Sequence, residues 1–243
     1  MADLLEVDRL SKKFGAIVVA DMVTFSVARG TCLGMIGPNG AGKSSLFNLI
    51  AGTEVPDGGS VRLDAHDLLG TSPHLRAQLG IGRAFQMPQP FPHLTVYENV
   101  LAAAYFGGGL RSVEAESWAM EMLARARLTD KATRLAGGLS LLDRKWLEFA
   151  KAMASRPKLL LLDEIAAGLT EPEVEELVAS ILSVKDEHAI VWIEHIPNAL
   201  RAAADRILVL HFGRKVLEGS PADVMTSKIV REIYMGLTED DIA

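Results

Sequence analysis

The stretch "GPNGAGKSS", Gly37 to Ser45, decides how the rest of this chain is read. It has the form G-x-x-x-x-G-K-S. The residues before it, "TCLGMI" from Thr31 to Ile36, read as a buried strand, and "SLFNLI", Ser45 to Ile50, as the start of a helix. Glycines at Gly37, Gly40 and Gly42 leave the backbone free to curl, so that consecutive N–H groups can face phosphate oxygens. The following helix turns its positive dipole end toward the same anion. The run Gly37, Pro38, Asn39, Gly40, Ala41, Gly42, Lys43, Ser44 and Ser45 is therefore assigned to a nucleotide. Lys43 reaches the β- and γ-phosphates and the Ser44 hydroxyl binds Mg²⁺. An ordinary glycine-rich turn between strand and helix is the plain alternative, but the complete pattern arises rarely by chance.

Working outward, the chain alternates between strand and helix signals. "LLEV", "VTFSV" and "CLGMI" read as N-terminal strands with turns at Phe14-Gly15 and Arg29-Gly30. A turn and a short strand follow in "VPDGGSVRLD", then the strand "IGRAF" from Ile81 to Phe85, which ends at Gln86. Proline-rich "QMPQPFPHL" marks a change of texture, and residues 87–157 are expected to form an inserted helical lobe. The α/β pattern resumes with "KLLLLDE", the helix "PEVEELVASILSVKDEH" and the strand "AIVWIEH", and residues 214–243 close the chain as a hairpin and short helices. Strands alternating with helices predict a mostly parallel central sheet in one α/β domain spanning residues 1–243.

Composition narrows the function classes. A net charge of −6 argues against a nucleic-acid track. The single cysteine, Cys32, permits no internal disulfide framework. The start "MADLLEVDRL" is acidic and lacks the apolar run of a signal peptide, and no stretch approaches the roughly 18 apolar residues that span a bilayer. Any membrane role is expected to come through a partner.

The remaining chemical positions gain meaning from the loop. "LLLLDE", Leu159 to Glu164, is an apolar strand ending in two acids. Asp163 at its carboxyl end can hold Mg²⁺ through water, and Glu164 is then placed to polarise a water attacking the γ-phosphate. His195, expected to end the strand "AIVWIEH", is either structural or in contact with the γ-phosphate. Phe14 is either a core aromatic or a platform for adenine.

In this order the pieces resemble the ATPase subunits of ABC transporters. The resemblance rests on "GPNGAGKSS", the glutamine after "IGRAF", "LS" opening a helix before "LLLLDE", "AAGL" after the acids and "IEH" near the end. It implies a P-loop ATPase fold with N-terminal antiparallel strands, a mostly parallel sheet and a helical lobe. It implies ATP and Mg²⁺ as ligands, Phe14 stacking on adenine, Gln86 sensing Mg²⁺ and the membrane partner, Glu164 as general base and His195 beside it in catalysis. The Mg²⁺ set is then Ser44, Gln86 and Asp163. It further implies a head-to-tail dimer in which each ATP is sandwiched between one chain's phosphate loop and the other's "LSGGQ" segment.

Here the matching run is "LSLLD": Leu139, Ser140, Leu141, Leu142 and Asp143. The glycine pair has become two leucines, whose Cβ atoms hinder close backbone approach to phosphate. Ser140 and Asp143 also fit a capping box at a helix start. Thr170 replaces the aspartate usual in the family's communication loop. These departures favour a heterodimer with a second ABC ATPase, a homodimer being the alternative.

The phrases "FN", "AFQMPQPFPHLTVYENV" and "IEHIPNAL" are similar to the branched-chain amino acid and amide importer subgroup. That implies integral membrane permease subunits, a solute-binding protein, and a peripheral place at the cytoplasmic face of the inner membrane. The alternatives are another transport system, such as lipid or lipopolysaccharide export, or a soluble non-transport ABC ATPase. A small-molecule kinase gives Gln86 and His195 no role, and no N-K-x-D or T-K-x-D guanine reader of a GTPase occurs.

Overall fold

The computed structural model describes residues 3–235. Three runs that are apolar except for the closing Asp163 form its centre: β3 (Cys32–Ile36), β7 (Leu159–Asp163) and β8 (Ala189–Ile193), buried at every position. Strands buried on both faces lose the alternation of polar and apolar residues, as in parallel sheets covered by layers on either side. Successive side chains still point to opposite faces. Leu159 and Leu161 accordingly join one apolar cluster and Leu160 and Leu162 the other, as do Val191 and Trp192.

The six-stranded sheet has the order β10-β9-β3-β8-β7-β6, with β6 (Ile81–Ala84), β9 (Arg206–His211) and β10 (Arg214–Gly219). All pairs are parallel except the β9–β10 hairpin at the edge. A four-stranded antiparallel sheet, β2-β1-β4-β5, is built from β1 (Asp3–Phe14), β2 (Ile17–Ala28), β4 (Gly58–Leu63) and β5 (His66–Asp67). It covers one face of the central sheet, with α1 (Lys43–Ala51) packed between, in a single cluster that includes Phe25, Phe47 and Leu161.

The opposite face carries the helices. Residues 87–157 contain α3 (Val96–Phe106), α4 (Ser112–Arg125) and α5 (Leu141–Ala154), which pack on one another. Their apolar side chains run without a break into those beneath the sheet, so Val100, Met122, Phe149 and Trp192 share one core. Between β4 and β6 lies the short α2 (Pro73–Gln78), and α6 (Glu171–Lys185) and α7 (Pro197–Ala203) flank β8. The hairpin is followed by α8 (Pro221–Thr226) and α9 (Lys228–Met235); residues 236–243 of the expected C-terminal segment lie outside the described residues.

Several local expectations shift. Helix α1 begins at Lys43, two residues before Ser45, because Gly42 is already the left-handed residue that turns the chain into it. Strand β6 stops at Ala84, and Phe85 turns outward with the Arg83 guanidinium 4.7 Å from its ring centre. His195 does not end a strand. Ladder β8 closes at Ile193, whose carbonyl accepts the N–H of Glu164, and His195 stands two residues beyond.

Candidate active site

Strands β6, β7, β8 and β3 are successive parallel neighbours, so their carboxyl ends line one edge. That edge is where open α/β sheets bind ligands. Gln86 follows β6, Asp163 and Glu164 end β7, His195 follows β8, and the loop 37–42 follows β3. Gln86, Glu164 and the loop residues Asn39 to Ser45, up to 125 positions apart in sequence, thereby line one cavity of about 380 Å³, and His195 is joined to it through Glu164.

The loop is built for close backbone approach. Gly37 and Gly42 have φ of 155° and 101°, and a Cβ would run into the carbonyl oxygens of Leu210 and Val19 respectively. Only glycine fits there. Lys43 is buried, its Nζ donating to the carbonyls of Gly37 (2.7 Å) and Pro38 (3.0 Å). Burial lowers its pKa, opposed by the carboxylates of Glu164 and Asp163. Helix α1 has no side-chain cap and no acid in its first turn, which leaves its first N–H groups and its dipole to an anion.

Glu164 occupies the far side of the cavity. It is a non-glycine residue at φ 45°, a left-handed conformation that costs roughly 1–2 kcal/mol. The turn aims its carboxylate between two partners: Gln86 Nε2 donates to Oε2, and His195 Nε2 lies 2.7 Å from Oε1. Asp163 is more deeply buried. Its Oδ2 accepts from Arg83 at 2.8 Å, while Oδ1 is buried without a partner among the described residues. Burial raises the Asp163 pKa, with Arg83 opposing the shift.

Phe14 stands at the turn end of the β1–β2 hairpin opposite Ile17, half-exposed, with Lys12 Nζ 5.1 Å from its ring centre. The cavity wall here comes instead from Ile17 and Val19, which the sequence reading missed; both sit in an ordinary alternating strand and carry no distinguishing signal. Arg83 was also missed. It clamps Asn48 Oδ1 and Asp163 Oδ2, each at 2.8 Å, beneath the ring of Phe47. A charged residue inside the apolar "IGRAF" was the available clue.

The segment 139–143 lies away from this cavity, at the start of α5. Ser140 Oγ caps the helix by accepting from Asp143 N at 3.1 Å. The second half of the expected capping box is missing. Aspartate is one methylene shorter than the glutamate that reaches back in such boxes, and the Asp143 carboxylate instead pairs with Lys131 Nζ at 2.6 Å. Leu141 is 53% exposed, whereas Leu142 packs partly into the core. Thr170 caps α6, its N–H donating to Glu173 Oε2 at 2.7 Å.

A phosphate-cradling loop, two acids and a histidine on one sheet edge, beside a helical lobe, define a P-loop nucleoside-triphosphatase. Comparison with known proteins narrows this. The family model described as ABC transporter matches residues 20–167. The branched-chain amino acid transport ATP-binding protein BraF of Pseudomonas aeruginosa is 34% identical, over 96% of this chain and 98% of that protein. The lipopolysaccharide export system ATP-binding protein LptB of Acidithiobacillus ferridurans is 31% identical, over 97% and 98%. A crystal structure of the ADP conformation of an ABC transporter cassette superposes with a TM-score of 0.87 at 29% identity, covering 97% of this chain and all of that one. The chain belongs to the ABC transporter family, as an ATP-binding subunit that hydrolyses ATP. No helix among the described residues is long and apolar enough to cross a membrane.

Proposed function

We propose that this subunit drives uptake of branched-chain amino acids or related amides through separate permease subunits, from the cytoplasmic face of the membrane and with a solute-binding protein supplying the cargo. The name of BraF and near-complete coverage of both chains support that cargo. Export of a lipid or lipopolysaccharide is the second reading, favoured by the similarity to LptB. Reconstitution with the permease found to copurify, followed by ATP-driven uptake of labelled leucine, separates the two.

The observation that carries the chemistry is Glu164 held between Gln86 and His195 across the cavity from Lys43. Lys43 trades its two loop carbonyls for the β- and γ-phosphates and stabilises charge as the bridging bond breaks. Both Glu164 oxygens are engaged, so the attacking water takes over the acceptor position now held by Gln86 Nε2, and Glu164 accepts its proton. His195 keeps the carboxylate oriented and Phe14 stacks on adenine. The buried, unpartnered Oδ1 of Asp163 fits a hard divalent cation, and Ser44, Gln86 and Asp163 would hold Mg²⁺, which neutralises phosphate charge when bound. The test is Glu164→Gln under single-turnover conditions: ATP stays bound while hydrolysis slows by about 10²–10⁴, the usual worth of a general base. Undiminished turnover would remove Glu164 from that role.

A further inference from the structure

Two buried charges beside this site take no part in the chemistry above. Lys145, on α5 five residues past Ser140, is 5% exposed, and Glu194, preceding His195, is 1% exposed. A charge so far from water has to be compensated locally. Lys145 Nζ donates to the carbonyl of Ile165 at 3.0 Å and lies 3.5 Å from that of Glu164. Glu194 Oε2 accepts from Ala166 N at 3.1 Å, and its Oε1 accepts from His195 N at 2.8 Å.

The Ile165 carbonyl and the Ala166 N–H belong to one peptide group. A cation therefore holds that group at its oxygen and an anion holds it at its nitrogen, immediately after Glu164. The same anion fixes the backbone of His195. Burial lowers the Lys145 pKa, opposed first by the Glu194 carboxylate, and raises that of Glu194, opposed by the N–H groups it accepts from. The cation is carried by a helix that is buried almost throughout from Lys145 to Ala154, so a shift of that helix carries its anchor with it.

We propose that Lys145 and Glu194 clamp the Ile165–Ala166 peptide so that the aim of Glu164 and His195 follows the seating of α5. Contact between the Ser140 segment and a nucleotide held by the partner ATPase is thereby relayed to this chain's own site. Both are positioning residues, and the inference rests on the reading of Glu164 as the base.

The test uses the assembled transporter. Lys145→Met should lower kcat about 10-fold, within the range by which residues along a coupling path act. KM for ATP should stay within about twofold, as expected when ground-state binding is spared, and the Hill coefficient for ATP should fall toward one. Glu194→Gln should reproduce this pattern, because its amide NH₂ must face one of two N–H donors. Lys145→Arg should restore cooperativity, and thermal melts screen each variant for folding. Should Lys145→Met fail to fold, Glu194→Gln and Lys145→Arg decide. A wild-type Hill coefficient of one, or lowered kcat with cooperativity intact, overturns the relay. Glu164→Gln is assayed in parallel: full activity there rejects the base assignment, whereas its loss beside unmoved cooperativity in the clamp variants rejects the relay alone.

Discussion

Two helix starts in this molecule, that of α1 after the glycine-rich loop and that of α5 at Ser140, are built in opposite ways. At α1 the chain arrives through Gly42 in a left-handed conformation, and no side chain satisfies the first N–H groups. The helix start is left unfinished, to be completed by an anion. At α5 the chain arrives through Ser140, whose hydroxyl already takes the Asp143 N–H, and Leu141 and Leu142 stand where glycines would bare the backbone. That start has one of its first N–H groups already capped by a side chain. The first gives up local stability for a ligand, and the second keeps it, which is why we read this chain as owning one competent site and lending a weaker half to its partner's.

The comparison breaks most visibly in an asymmetry of turnover. In a reconstituted heterodimer, Glu164→Gln in this chain should lower steady-state hydrolysis by about 10²–10⁴, and the equivalent change in the partner should lower it little. Equal losses, or a fully active homodimer of this chain, would make the two helix starts functionally alike.

Next in size is the loop itself. Lys43→Ala removes a charged donor worth about 3 kcal/mol at most, so the Kd for ATP should rise by roughly 100-fold in equilibrium titration. Unchanged affinity would disconnect the loop from the nucleotide.

Smaller effects sharpen the contrast at α5. Ser140→Ala should destabilise the protein by about 1 kcal/mol, the usual worth of a serine cap, read from the denaturation midpoint. The corresponding start of α1 has no side-chain cap to lose. Leu141→Gly should cost about the same through helix propensity, yet raise turnover at the partner's site if the leucine Cβ is what hinders approach. Lower turnover there would assign Leu141 a contact of its own.

At the bottom of the scale no effect is expected. Cys32 lies in β3 under the loop, and burial pushes its pKa up to about 12. Its thiol should resist maleimide at neutral pH until the protein unfolds, which also makes it a reporter of intact core in every variant above.

The sequence by itself determined the phosphate loop, the sheet strands and the identity of the two acids, because each is a local signal. Glycines at fixed spacing admit one backbone path, and a run such as "LLLLDE" has no stable place except between two apolar layers. It also placed Ser140 at a helix start, since capping needs only four consecutive residues. Only the tertiary structure decided what those residues touch. Glu164 is aimed by Gln86 and His195, Asp163 is held by Arg83, and the peptide after Glu164 is clamped by Lys145 and Glu194. The contacts of Gln86, His195, Arg83 and Glu194 join neighbouring strands of the sheet that are distant in the chain, and Lys145 reaches the same edge from α5. Arg83 and Glu194 are charges inside otherwise apolar segments and Lys145 is one of several charges on α5, and their partners could not be chosen until the tertiary arrangement around β6-β7-β8-β3 was known. The cavity wall of Ile17 and Val19 follows the same logic, because which apolar side chains face a ligand depends on how the antiparallel sheet is seated against the loop.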